Sequence, residues 1–419
     1  MKKWIITADI IGSRKIEKRK KFQQDLENVL DEINSRFVDS LGNKFRITLG
    51  DQFSGAVNNP AVLLELILEL IYQLRSVSLR FGIAYGEVEG NSDGVLTGGR
   101  GYELSLQMVK DAAEKEFPVC FNITAYQNKF IKYLIMIIIF CFVYYFNKFT
   151  ERQRQIMYYL LQGWKQLKIA EKVNISQSAV SQAVTNINWT LFRKVYNIFP
   201  DIFSLNYRRN SILRLFDADY IAFIGFFSSL REEELLKQLL NDINEQYGKE
   251  IESDFVITVP GVGEAGYEFQ GLVKNRTKIF DILTDIYAVL DDVFLAVGMG
   301  SISTALKKQA LGMDGPAFYR AREALEKTSK DMPIFISGQE ENKHIYYYIS
   351  CVFSFVLLQI NRWTKKQLGV INLRRKGLIQ QQIASKLNIS QSGVVDHLSR
   401  AGWKEYDYLN NVIYHLLNI

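Results

Sequence analysis

The chain is written twice. Ile169-Ala170-Glu171-Lys172-Val173-Asn174-Ile175-Ser176-Gln177-Ser178 returns as Ile383-Ala384-Ser385-Lys386-Leu387-Asn388-Ile389-Ser390-Gln391-Ser392, an offset of 214 residues. Near that offset Trp189 answers Trp403, Gly86 answers Gly300 and Gly101 answers Gly315. Upstream, Phe45-Arg46-Ile47-Thr48 pairs with Phe255-Val256-Ile257-Thr258, after which the second copy is longer until Phe269-Gln270-Gly271 answers Phe53-Ser54-Gly55. Whatever one half folds into, the other must approximate. A length of 419 residues allows two to four domains at roughly 150 residues each. Each repeat runs from a sheet-and-helix domain through an apolar helix to a small basic helical domain.

In the front domain of the first copy, Trp4-Ile5-Ile6-Thr7-Ala8 and Phe45-Arg46-Ile47-Thr48-Leu49 are rich in β-branched and aromatic residues and predict short strands. Each delivers a carboxylate close to a glycine: Asp9 before Gly12-Ser13, and Asp51 after Gly50. Between them, Phe22, Leu26, Val29, Leu30, Ile33 and Phe37 make one helical stripe. Strand, helix, strand brings the two aspartates into one sheet. Two carboxylates at one sheet edge can hold Mg²⁺ or Mn²⁺, hard ions that take oxygen ligands and bridge phosphates. Either aspartate alone would pass for a solvated turn residue; the pair in this setting is expected to be a metal site. After Asp51 follow a helix from Ala61 to Arg75, a strand Leu79 to Gly86, a glycine loop Gly98 to Gly101, and a helix from Tyr102 to Lys115. The order βαββαβ predicts an α/β (α+β) domain with a ferredoxin-like sheet.

Asp9-Ile10-Ile11-Gly12-Ser13, Gly50-Asp51, and Arg80-Phe81-Gly82-Ile83 followed by Gly86-Glu87-Val88 resemble the catalytic core of class III nucleotide cyclases. The whole repeat is similar to the SatD family, whose members join such a domain to a helix-turn-helix. The resemblance implies that Asp9 and Asp51 hold the metal and that Gly12, Ser13 and Gly50 lie against a nucleoside triphosphate. The second copy departs from the pattern. Phe223 to Phe227 replaces the Asp9 stretch, and Val259-Pro260-Gly261-Val262-Gly263-Glu264 replaces Gly50-Asp51. It carries instead Met313-Asp314-Gly315-Pro316-Ala317-Phe318-Tyr319-Arg320-Ala321-Arg322, where the first copy offers Leu106-Gln107-Met108 without an arginine. One half keeps the acids and the other the bases, so the resemblance implies a composite pocket in which Arg320 or Arg322 steadies phosphate charge as a catalytic arginine. Two residues apart, these arginines cannot share one helix face. Gly261 to Gly266 spells a dinucleotide fingerprint, but Tyr267-Glu268-Phe269 continues toward a strand, so this segment is expected to be a hairpin insertion.

Tyr133 to Phe146 is unbroken apolar sequence, fourteen residues long, short of the ~20 that span a bilayer. Ile345 to Leu358 matches it. Both are expected to be buried helices, and no membrane partner is expected. Cys120, Cys141 and Cys351 are an odd number set far apart, which argues against a disulfide framework and places the chain in a cytoplasmic, reducing setting.

Gln166 to Val173, the turn Asn174-Ile175-Ser176 and Gln177 to Asn186 predict a helix-turn-helix, repeated from Gln380 to Leu398. It resembles the sigma-factor and response-regulator type. From Thr150 to Arg214 there are ten Lys/Arg and three Asp/Glu, and from Arg362 to Lys404 nine and one. Against +6 for the chain, these segments carry +7 and +8, leaving −9 for everything else. Basic charge confined to two modules predicts double-stranded DNA as partner. Gln177, Ser178, Ser181 and Gln182, and in the second copy Gln391, Ser392, Asp396 and His397, are expected to face bases. Lys172, Lys386, Arg374 and Arg375 are expected at the phosphate backbone. The organisation expected is a cyclase-like domain over 1–128, an apolar helix over 129–149 and a helix-turn-helix domain over 150–206, repeated as 217–342, 343–362 and 363–419. This makes an intramolecular pseudo-dimer, open to further homodimerisation. The expected function is transcriptional regulation, against two rivals: a nucleotide cyclase acting on ATP or GTP, and an inert scaffold for two DNA modules.

Overall fold

The structure is a computed structural model that describes residues 1–13, 16–204, 218–229, 232–259, 266–358, 360 and 363–419. The chain divides into two compact units, Met1–Asn206 and Tyr207–Ile419.

In the first unit, β1 (Lys2–Ile11), α1 (Arg19–Arg36), β2 (Leu41–Leu49), β3 (Gln52–Val57), α2 (Leu63–Gln73) and β4 (Ser78–Glu87) follow the βαββαβ order. A small ribbon of β5 (Glu89–Gly90) and β6 (Leu96–Gly98) precedes α3 (Arg100–Lys115) and β7 (Val119–Asn122). The sheet order is β2-β3-β1-β4-β7. The four core strands are antiparallel, and β7 adds a fifth, parallel to β4. This is the ferredoxin-like order with one extra edge strand. β3 lies between β1 and β2, so the strands bearing the aspartates share a sheet without being neighbours, and they run in the same direction.

Local chemistry holds these pieces. Asn34, buried near the end of α1, both accepts from Phe45 N (2.7 Å) and donates to Phe45 O (2.9 Å), tying α1 to β2. Asn244 does the same with Phe255 in the second unit, at 2.7 and 3.0 Å. α3 lies so close to β4 that a Cβ on Gly82 would meet Ser105 O at 2.2 Å and Val109 N at 2.5 Å. Only glycine allows that approach.

α4 (Lys129–Lys148) is capped by Asn128, whose side chain accepts from Ile131 N at 3.1 Å. By length and composition alone it could cross a membrane. It is buried along most of its length and packs against β7, α2 and α8 (Trp189–Ser204). That is the buried helix expected, longer at both ends than its apolar stretch.

The helix-turn-helix follows: α5 (Glu151–Leu161), α6 (Gln166–Val173) and α7 (Gln177–Ile187). Thr150 and Gln153 form a capping box on α5. Ile156, Ile169, Ala170, Val173 and Val180 are its core.

The second unit repeats this order, without the small ribbon among the described residues: β8 (Tyr220–Phe227), α9 (Glu233–Gln246), β9 (Ile251–Val259), β10 (Tyr267–Val273), α10 (Ile279–Val289), β11 (Val293–Gly300), α11 (Pro316–Glu326) and β12 (Ile334–Ser337). Its order, β12-β11-β8-β10-β9, is that of the first sheet. α12 (Lys343–Leu357), α13 (Lys365–Arg375), α14 (Gln380–Leu387), α15 (Gln391–Ala401) and α16 (Trp403–Leu417) complete it. β10 begins at Tyr267, as a strand rather than a helix; the glycine-rich stretch before it, 260–265, lies outside the described residues.

Candidate functional site

Alternation along β1 decides what surrounds Asp9. Thr7, two residues earlier, is fully buried and its hydroxyl bonds those of Ser54 (2.9 Å) and Ser105 (2.8 Å) on α3. Asp9 therefore lies on the face that α3 covers, at the end of a line of hydroxyls. Opposite it in the ladder is Arg80, whose Nη1 stands 3.6 Å from Asp9 Oδ2. Burial raises the Asp9 pKa most, the Asp51 carboxylate adds to that, and Arg80 and a Gln52 hydrogen bond pull it back. The two carboxylates are thus close enough for the charge of one to act on the other. Gly12 and Gly50 follow the carboxyl ends of β1 and β2 at positive φ, +74° and +63°, with open space where a Cβ would be. Both glycines are exposed and Ser13 is partly buried.

This corner fits a hard divalent cation in kind. Two carboxylates interact here, and the Asp9 carboxyl is held up in pKa by its burial first and by the Asp51 charge second. Arg80 offsets only part of that charge, and its buried Nε has no hydrogen-bond partner among the described residues. No group of three or more His, Cys, Asp and Glu gathers for a metal among the described residues. Asp9 and Asp51 would supply two ligands and leave the other positions to water and phosphate oxygens.

The second unit has lost the same corner. Register equates Thr7 with Ile224, Asp9 with Phe226 and Arg80 with Phe294. Ile224, in place of Thr7, joins an apolar cluster with Ala222, Leu272, Ala310 and Met313, while Gln270, in place of Ser54, is a buried amide that donates to Ala310 O. Arg320 is partly buried on α11 and donates from Nη1 to Met299 O at 2.6 Å. Arg322 is exposed and pairs with Glu268 at 3.2 Å. The two arginines diverge, as residues two apart on a helix must.

Both helix-turn-helix modules form. Asn174 and Asn388 close the first helix in the left-handed region, at φ 54° and 53°. Ser176 caps the second helix through Ala179 N (3.2 Å), and Ser390 through Gly393 N (3.0 Å). Gln177, Ser178, Ser181, Gln182 and Lys172 are all exposed, as are Gln391, Ser392, Asp396 and Lys386; His397 is partly buried. Arg374 bonds Leu378 O at 3.2 Å.

Arg375 is a correction. Expected at the phosphate backbone, it is only 14% exposed and pairs with Asp281 and Asp285 of α10. Gln246 and Tyr247 bond the same Asp285 carboxylate, at 2.9 and 2.5 Å. Arg375 docks the module on the front domain of its own unit. In the first unit Arg154, 8% exposed, does comparable work by donating to Arg75 O and Val77 O, both at 3.1 Å. Tyr158 stacks on Tyr72 with ring centroids 3.4 Å apart and bonds Glu69. These docking groups escape a sequence reading, because a charge count cannot separate a buried basic residue from one that meets phosphate.

The SatD family model matches residues 4–100 and 220–417. No curated protein matches. Among solved structures, an AsnC family transcriptional regulator from Agrobacterium tumefaciens aligns with 39% of this chain and 97% of its own, at 13% identity and a TM-score of 0.16, a likeness too slight to bear on function. With most of its first front domain and nearly all of its second unit matched by one family model, the chain belongs to the SatD family.

Proposed function

We propose that the chain binds double-stranded DNA through both helix-turn-helix modules and acts as a transcriptional regulator. The observation that carries this is the surface of α7 and α15: polar side chains face solvent, with the Asp396–Arg400 ion pair among them on α15, each on a capped helix of eleven residues, within the two segments that hold the chain's net positive charge. One chain thereby carries the pair of modules that a single-repeat protein would gain by dimerising. Each module is docked on its front domain by buried polar contacts, so it moves with that domain. Mobility-shift titration of the full chain on random-sequence duplex tests the proposal; retarded DNA that is released by salt is the expected result, and no retardation at low salt would refute it.

The acidic corner is proposed as the regulatory input. Asp9 and Asp51 would hold Mg²⁺ or Mn²⁺ and Gly12, Ser13 and Gly50 would lie along a nucleoside triphosphate. The bound ion would supply charge neutralisation for the phosphates. Asp51→Asn is expected to abolish Mn²⁺-dependent triphosphate binding measured by calorimetry, and unchanged binding would remove the corner from the account. The rival that the corner itself favours is a cyclase: ATP or GTP with Mn²⁺ would then release pyrophosphate, whereas a sensor binds without turnover.

A further inference from the structure

We infer that the two modules read different sequences, so that the DNA site of this chain is asymmetric, with thymine and cytosine selected in one half and adenine in the other. This rests on the DNA-binding reading proposed above.

The frames of the two reading helices coincide. Ser176 and Ser390 cap with φ −72° and −73°, ψ 153° and 155°, and the hydroxyls of Ser176–Ser178 and Ser390–Ser392 stand 2.9 Å apart in both. The first two solvent-facing positions are the same pair, Gln177-Ser178 and Gln391-Ser392. One turn further on they differ. Ser181 is answered by Val395, and Gln182 by Asp396.

Val395 is 46% exposed, while its neighbour Val394 is fully buried in the module's core. Folding therefore uses Val394 and leaves Val395 facing out among polar groups. A branched apolar side chain at a base-facing position fits the thymine methyl, the one apolar group on the major-groove edge. Ser181 offers a hydroxyl there instead, which discriminates little.

The next position is braced in both copies by the residue four further on. Gln182 Nε2 donates to Asn186 Oδ1 at 3.0 Å, and Arg400 Nε donates to Asp396 Oδ1 at 2.9 Å. The brace is the same and the chemistry is opposite. Gln182 keeps a carbonyl acceptor and an amide hydrogen, the pattern that pairs with adenine. Asp396 keeps only acceptors, which suits the cytosine amino group and repels guanine, whose edge shows acceptors alone. Arg400 offsets the carboxylate near phosphate.

The test is selection of duplexes from a random pool by the full chain. The wild type is expected to enrich two unlike half-sites, with mismatch at the thymine or cytosine weakening binding by on the order of tenfold. The triple variant Val395→Ser, Asp396→Gln, Arg400→Asn is expected to enrich two like half-sites; so is the reciprocal Ser181→Val, Gln182→Asp, Asn186→Arg, with the other sequence, and that second variant guards against misfolding of the first. Identical half-sites from the wild type, or variants that leave both half-sites unchanged, would overturn the asymmetry while leaving DNA binding intact. Duplex retained without any enriched sequence would likewise overturn the asymmetry, and no retained duplex at all would overturn the DNA reading itself.

Discussion

Glu69 and Asp285 stand at the same place in the two units, on the second helix of each front domain, and each is gripped by a cation, which comes from a different domain in the two units. Glu69 is held by Arg36, on the front domain's own first helix, at 2.7 Å. Asp285 is held by Arg375, on the helix-turn-helix module. Where the first unit has Arg36, the second has Gln246, which still bonds the carboxylate. The duplication has kept the latch and moved its cation from one domain to the other. Asp285→Ala strands Arg375 without its nearest counter-charge and is expected to cost about 3 kcal/mol. Glu65→Ala removes a partner of Arg36 that is 40% exposed and is expected to cost less than about 1 kcal/mol. Urea unfolding of the full chain, followed by circular dichroism, should separate the two; equal costs would mean the latch does not fasten the module.

The raised pKa of Asp9 makes a statement about pH. An acid that holds its proton more tightly when folded than when unfolded loses stability as pH rises from the unfolded value, 3.8, through the folded one. At neutral pH the ionised Asp9 is therefore a liability. Asp9→Asn should raise the melting temperature at pH 7, and the gain should vanish below pH 3.8. Mn²⁺ should raise the melting temperature of the wild type at pH 7 and leave Asp9→Asn unmoved. A variant that is destabilised at pH 7 would show that the ion pair with Arg80 outweighs the burial and the Asp51 charge.

The three cysteines are buried. Burial pushes the Cys120 thiol up to about 11 and raises that of Cys141 further. Thiolate, the reactive form, is then scarce at neutral pH. A maleimide reagent should label none of the three in the native chain at pH 7 within minutes, and all three in denaturant. Rapid native labelling, read by mass spectrometry, would place a thiol in a reactive setting that this fold does not provide.

Much of the fold is legible before any coordinates. The capping serines, the apolar stripe of α1 and the doubled helix-turn-helix follow from local chemistry, and local chemistry is written in consecutive residues. β7 is missed because Val119–Asn122 is four residues long and pairs only with a strand far upstream. The Asp9 corner is half legible. Its two carboxylates can be named from their glycines, but Arg80 opposite Asp9 depends on the register of β1 against β4, which no spacing reveals. Arg375 goes wrong for the same reason: its counter-charges lie 90 and more residues away in the chain. Val395 escapes the set of base-facing residues because only burial distinguishes it from Val394.

The central claim, that both modules meet DNA phosphate, is tested most directly by anisotropy titration of a labelled duplex with the full chain at stepped KCl. The logarithm of the binding constant should fall linearly with the logarithm of salt concentration. Lys172→Ala and Lys386→Ala, both exposed in the fold, should each make the slope shallower by about 0.9. Arg375→Lys should leave the slope where it was, because that side chain answers to Asp281 and Asp285. Binding that ignores salt, or a slope that neither lysine alters, would contradict the account.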